Sequence, residues 1–260
     1  GYSWSLLGGD TATRCILQDD FAPLLIDEDA LDHERLWHKL YRRMQTGGRR
    51  GLVTQAQAAV DLALWDIKGK IAGLPVYKLL GGRRESAPVY YSDGGWLYMS
   101  VSEMVAAFEE YLPQGMFAAN IKIGNPDYRT DIQRVREVRK ALGDKAWVAV
   151  DANQKWDFPT AVRVGRELEQ LGIAWFEEPL LCEDIPGHAR LAAELDIPIA
   201  LGETLGSRYE FNAYIRADAA DILRKAAILG HLGQAGLYLG VQIRRDKSRG
   251  NQGGKEHFAI

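Results

Sequence analysis

Apolar residues recur through the first third of the chain at helical spacing. In LDHERLWHKLYRRM (31–44), Leu36, Leu40 and Met44 share one face and the charges fall elsewhere. After the GGRRG break, Val53, Ala56, Val60, Leu64 and Ile67 make a second stripe within VTQAQAAVDLALWDIKGKIAG. Gly73 and Pro75 then read as a helix stop, and LPVYKLLGGRRES reads as a connector. His33 and His38 are placed on an exposed helix face, and His188 near a helix N-terminus.

The rhythm changes after Ser86. Short apolar runs alternate with amphipathic stretches: PVYYSDGG, SVSEMVAAFEEYL, ANIKIG, DYRTDIQRVREVRKALG, WVAVDAN, FPTAVRVGRELEQLG, IAWFEEPL, GHARLAAELD, IPIALGE, SRYEFNAYIR and ADILR. Strand followed by helix, repeated in this way, predicts an α/β fold with parallel strands and helical crossovers. An open doubly wound sheet and a (β/α)₈ barrel both fit that rhythm. The polar residues favour the barrel. Lys122, Asp151, Glu177 and Glu203 each fall at the C-terminal end of a predicted strand, the rim where such barrels assemble their active sites. The three carboxylates are evenly spaced, one strand–helix unit apart.

Composition narrows the field further. A hydrophobic share of 47% with 26% charged residues can bury a sizeable core. A net charge of −3 lacks the basic surplus that nucleic-acid binding needs. Cys15 and Cys182 form no CxxC pair, so neither a disulfide framework nor a zinc site is indicated. No apolar run reaches membrane-spanning length, and GYSWSLLGGD is not a signal-type start. A cytoplasmic protein with no nucleic-acid or membrane partner is expected.

Three carboxylates converging on one rim repel one another unless a cation neutralises them. Hard oxygen donors suit Mg²⁺ or Mn²⁺, with water or substrate completing the coordination. Side chains alternate along a strand, so Asp151 and Asn153 share a face, as do Asn120 and Lys122. Glu177 and Glu178 point opposite ways, and only one of them can be a primary ligand. Desolvation and a nearby cation disfavour the ammonium form of a lysine placed like Lys122, which can then serve as a general base. Base plus metal suggests removal of a proton next to a carboxylate, with the metal stabilising the enediolate.

KIG (122–124), VDANQKW (150–156), WFEEP (175–179) and LGET (201–204) together resemble the enolase superfamily, in its mandelate racemase-like branch. AAVDLALWDIKGKIAGLPVYKLLGG (58–82) looks like the end of that family's N-terminal capping domain. The resemblance implies a (β/α)₈ TIM-type barrel behind the helical end of an α+β cap. It implies Asp151, Glu177 and Glu203 as ligands of Mg²⁺ (or Mn²⁺) and Lys122 as the base. Asn153, Glu178 and Asn120 are expected to contact substrate or support the site. DANQKWD and PGHA (186–189) are closest in flavour to acid-sugar dehydratases of the galactarate, talarate and tartrate kind. These act on a small-molecule acid sugar, removing the α-proton and expelling the β-hydroxyl. A racemase or cycloisomerase shares the first step, and a truncated metal-binding remnant without turnover is the rival outside catalysis.

The sequence departs from the family pattern in three places. Where the family has KxK, this chain reads Asn120-Ile121-Lys122, without the first lysine. The family's opening strands and substrate-covering loop are not in the chain, so 1–85 is expected to be a partial capping domain. Residues 86–225 are expected to form strands one to six of a partial barrel. After Leu223 there is no strand-six acid and no convincing strand seven or eight, so 226–260 reads as an aberrant tail, as in a truncated or frame-disrupted product. His231 and His257 are the histidines left to replace the family's strand-seven acid. An incomplete barrel exposes strand edges, which invites pairing with another copy, so a homo-oligomer is expected.

Overall fold

The computed structural model describes residues 8–223, except 49, 84, 87, 88, 144 and 145. The tail at 226–260, with His231 and His257, lies outside the described residues. Two compact units are present, one of residues 8–85 with 205–210 and one of 86–204 with 211–223.

The first unit is helical. α1 (Asp10–Cys15) runs through a π-helical turn (Ile16–Phe21) into α2 (Ala22–Leu25), followed by α3 (His33–Arg43), α4 (Leu52–Ala72) and the short α5 (Val76–Leu79). α5 lies in the stretch expected to be a plain connector; Pro75, with its fixed φ, sits at its N-cap. Phe21, Leu40, Val53 and Ala56 form a buried cluster here. Gly73 ends α4 in the left-handed region at φ 63, where a residue without Cβ is favoured.

Two expectations fail in this unit. Ile67 is exposed and Val60 only partly buried, while Gln57 and Asp61 are buried instead. α4 is apolar on more than one face, so its period alone does not select the face that packs. His33 is also buried, not exposed. Its Nε2 lies 2.5 Å from Asp61 Oδ1, and its ring meets Trp65 edge to face at 4.9 Å. The partner that draws it in stands 28 positions away on α4.

The second unit is a parallel sheet with helical crossovers. Its strands are β1 (Val89–Tyr91), β2 (Met116–Lys122), β3 (Trp147–Asp151), β4 (Phe176–Glu177), β5 (Ile199–Leu201) and β6 (Ile222–Leu223). Between them run α6 (Val101–Tyr111), α7 (Tyr128–Leu142), α8 (Phe158–Gln170), α9 (Ile185–Glu194) and α10 (Arg208–Arg216). The α/β reading therefore holds. Strand order is sequential from β1 to β6, every pair parallel. A doubly wound sheet reverses its order at a switch point, and no reversal occurs among these strands.

Local sequence explains where the helices start. Ser100 opens α6 with a capping box to Glu103, and the side chains of Asp127, Asp157 and Asp184 cap α7, α8 and α9. Each cap satisfies a backbone N–H that the first turn leaves without a partner. Alternation then divides the strands. Ile121, Val148, Val150, Phe176 and Ile199 pack with Phe108, Val135, Leu168 and Leu191 of the helices. Ala118, Ala149, Trp175 and Ala200 cluster on the other face, the face that Asn120, Lys122, Asp151 and Glu177 share by the same alternation. Among the described residues no helix is long and apolar enough to cross a membrane.

His188 is fully buried in α9. Its Nδ1 lies 3.0 Å from the Asp184 carbonyl oxygen and 3.3 Å from the Tyr214 hydroxyl. Burial pushes its pKa below the ordinary value. The unfolded chain, with a histidine pKa of about 6.5, takes up a proton that the buried imidazole refuses. Its contribution to stability is thus complete above about pH 6.5 and lost as pH falls from there toward the depressed folded value. Thermal melts should show a drop in Tm between about pH 7.5 and about pH 5.5 that shrinks in His188→Gln. An equal drop in both proteins would contradict this.

Candidate metal centre

Parallel register builds the site. Lys122 at the end of β2 pairs laterally with Asp151 at the end of β3, and Asp151 pairs with Glu177 at the end of β4. Three charged residues therefore form a row across adjacent strands. Glu177 aligns with Ala200, and Glu203 joins the row from the turn just past the end of β5. Asp151, Glu177 and Glu203 each offer a carboxylate oxygen, and these oxygens all lie within 4.8 Å of one another. Asp151 and Glu177 are fully buried and Glu203 is partly buried.

The neighbours orient these groups. Lys122 Nζ donates a short hydrogen bond to Asp151 Oδ2. The Asn153 backbone N–H donates to Asp151 Oδ1 at 2.9 Å, and its Nδ2 reaches Asp151 Oδ2 at 3.4 Å and Glu203 Oε1 at 3.3 Å. Trp175 Nε1 donates to Glu177 Oε2 at 3.4 Å. Asn120 is buried on the Lys122 face, and its Oδ1 has no partner among the described residues.

Glu178 is turned away from the row. Its carboxylate accepts from Thr204 Oγ1 at 2.9 Å and from Gln154 Nε2 at 3.1 Å. Burial is the main cause that raises its pKa, the charges of Glu203 and Asp151 add to it, and those two hydrogen bonds oppose it. Asn153, Gln154 and Glu178 have φ of 42, 65 and 41. Asn tolerates that left-handed region, whereas Gln and Glu are held in it by their surroundings, a strain typical of functional loops. Gln154 did not stand out from the sequence as a site residue. It also accepts from the Cys182 N–H at 2.8 Å, so one amide joins the loops after β3 and β4. An amide beside Asn153 in VDANQKW was the available signal. Trp175 was missed as well, because an apolar residue beside a strand reads first as core.

The donor set fits a divalent cation. At about 4 Å, two unit charges repel by about 4 kcal/mol at an effective dielectric of about 20, and one amine, Lys122, stands beside the three carboxylates. All the offered atoms are hard oxygens, the preference of Mg²⁺ and Mn²⁺.

Comparison with known proteins places these residues in context. Residues 1–81 match the family model for the mandelate racemase / muconate lactonizing enzyme N-terminal domain, and residues 103–228 match the enolase C-terminal domain-like model. L-talarate/galactarate dehydratase of Salmonella typhimurium is 40% identical over 227 residues, covering 87% of this chain and 57% of the relative. A 3,6-anhydro-alpha-L-galactonate cycloisomerase of Streptomyces coelicolor is 36% identical over 217 residues, covering 84% of this chain and 60% of the relative. The crystal structure of the Salmonella dehydratase liganded with Mg and L-lyxarohydroxamate superposes with a TM-score of 0.84 over 88% of this chain and 59% of that one. The chain thus spans roughly three fifths of the length of these relatives.

Relief of carboxylate repulsion has a thermal signature. Mg²⁺ or Mn²⁺ should raise the Tm of the wild-type chain with the saturating dependence of a single site. Glu177→Gln and Asp151→Asn should lose most of that rise. A rise that is unchanged in both variants would place the cation elsewhere.

Proposed function

Because the chain belongs to the mandelate racemase / muconate lactonizing enzyme family of the enolase superfamily, we propose that it carries the base and the cation site of a Mg²⁺-dependent acid-sugar dehydratase. The observation that carries this reading is the row Lys122–Asp151–Glu177 with Glu203 closing it: one amine beside three converging carboxylates. Asp151, Glu177 and Glu203 are the residues that would hold the cation. When bound, it supplies positive charge that stabilises the negative charge developing on a substrate carboxylate.

The chain's own residues account for the rest. Lys122, once free of its proton, accepts the α-proton of the substrate: the C–H bond breaks, an N–H bond forms, and the electron pair moves toward the carboxylate. The β C–O bond then breaks as that electron pair forms the Cα–Cβ double bond, the departing hydroxide takes a proton from solvent and leaves as water, and Lys122 returns the α-proton to solvent. Asn153 steadies Asp151 and Glu203 through its two amide contacts. Glu178, tied to Gln154 and Thr204, keeps the loops after β3, β4 and β5 in register. Asn120 offers a neutral amide where the family pattern has a lysine. Residues 1–85 are read as part of a capping domain, and 86–225 as barrel strands one to six. The protein is read as cytoplasmic and homo-oligomeric, with a small-molecule substrate and no nucleic-acid or membrane partner. The net charge of −3 supports the reading that nucleic acid is not a partner.

An acid-sugar panel that includes galactarate and talarate, supplied with Mg²⁺ in D₂O, separates the possibilities. The expected product is a keto-deoxy acid, and Lys122→Met should lower α-deuterium incorporation by roughly 10²- to 10⁴-fold, the range of general-base catalysis. A lactone-opened isomer instead of a keto-deoxy acid would favour the cycloisomerase reading. Mg²⁺ binding without any deuterium incorporation would contradict both.

A further inference from the structure

A cation seated on Asp151 competes with Lys122 for the same carboxylate. Among the described residues Lys122 Nζ has two partners: Asp151 Oδ2 and the face of the Trp96 indole, 5.8 Å from Nζ to the ring centroid. Trp96 is 41% exposed, so core packing does not account for its position. Its backbone does. The Lys122 N–H donates to the Gly95 carbonyl at 2.7 Å. A Cβ on Gly95 would stand 2.1 Å from the Asn120 carbonyl oxygen, so this contact of loop on strand requires glycine. Arg134 locks it in place. Its Nη2 donates to the carbonyls of Trp96 at 3.0 Å and Met99 at 3.3 Å, and its Nη1 to the Lys122 carbonyl at 3.3 Å. One guanidinium thus ties the loop carrying Trp96 to the strand end carrying Lys122.

We propose that Trp96 is a positioning residue for Lys122: its ring face is the seat the amine keeps when a divalent cation takes the Asp151 carboxylate. The proposal rests on Asp151 being a ligand of that cation. An aromatic face attracts an ammonium through its quadrupole at this distance, and it does so without competing for the cation's oxygen ligands. Trp96 therefore holds the ammonium at the rim with or without the divalent cation, where an untethered lysine would swing into solvent, so that Nζ is in place when its proton leaves. Placement within a fraction of an ångström governs proton abstraction.

The test uses the full chain with its lysines reductively ¹³C-methylated, read by NMR. The Lys122 resonance is identified by its loss in Lys122→Arg. It should lie upfield of the other dimethyl-lysines because of the Trp96 ring current, and it should shift yet stay upfield when Mg²⁺ is added. Trp96→Leu should return it to the common lysine position, while Trp96→Phe should keep part of the displacement. In turnover, Trp96→Leu should lower kcat for α-proton exchange on the order of 10- to 100-fold with little change in KM, and Trp96→Phe should recover part of the loss. A wild-type resonance at the common position, or one unmoved by Trp96→Leu, overturns the proposal. A resonance that returns to the common position on Mg²⁺ binding overturns the role of Trp96 while leaving Asp151 as a ligand. A resonance indifferent to Mg²⁺ removes the ligand reading, and the competition falls with it.

Discussion

Like charges held side by side by parallel strand register are the constraint on which the rest of the second unit depends. The pairing of β3 with β4 leaves Asp151 and Glu177 no freedom to separate, and that of β2 with β3 sets Lys122 beside Asp151. Two of these side chains are anions that are fully buried, and burial of adjacent anions is among the most unfavourable arrangements a fold can hold without compensation. The neighbouring contacts read as partial compensation. Lys122 bonds Asp151, Asn153 bridges Asp151 and Glu203, and the Trp175 indole meets Glu177. Three carboxylates face one amine in this row, and a divalent cation would fill the balance.

The second glutamate of the EEP stretch shows how the fold keeps that cluster from growing. Strand alternation and a left-handed backbone at φ 41 turn Glu178 out of the row. Hydrogen bonds from Gln154 and Thr204 then fasten it. A carboxylate that would have added repulsion becomes a fastening between successive strand-end loops. Gly95 and Arg134 do comparable work on the other flank, bringing an exposed indole to the one amine in the row.

The fold was legible because its signals are local and repeated. Short apolar runs alternating with amphipathic stretches, and an acid at successive strand ends, all survive in one sequence without partners. What escaped depends on pairs distant in the chain. His33 is buried because Asp61 stands 28 positions away, and no periodicity records that. Ile67 was assigned inward because α4 is apolar on several faces. Gln154 was overlooked because its importance comes from the loops it joins, not from its residue type. The row of Lys122, Asp151, Glu177 and Glu203 stood out because equal unit lengths deliver equal positions on neighbouring strands.

The central claim is that the three carboxylates are one cation site. Anomalous diffraction from crystals of this chain soaked in Mn²⁺ tests it most directly. The expected result is a single strong peak at coordination distance from Asp151, Glu177 and Glu203, with Lys122 Nζ displaced from Asp151. A peak bound by other residues, or carboxylates that stay metal-free at saturating Mn²⁺, would contradict it.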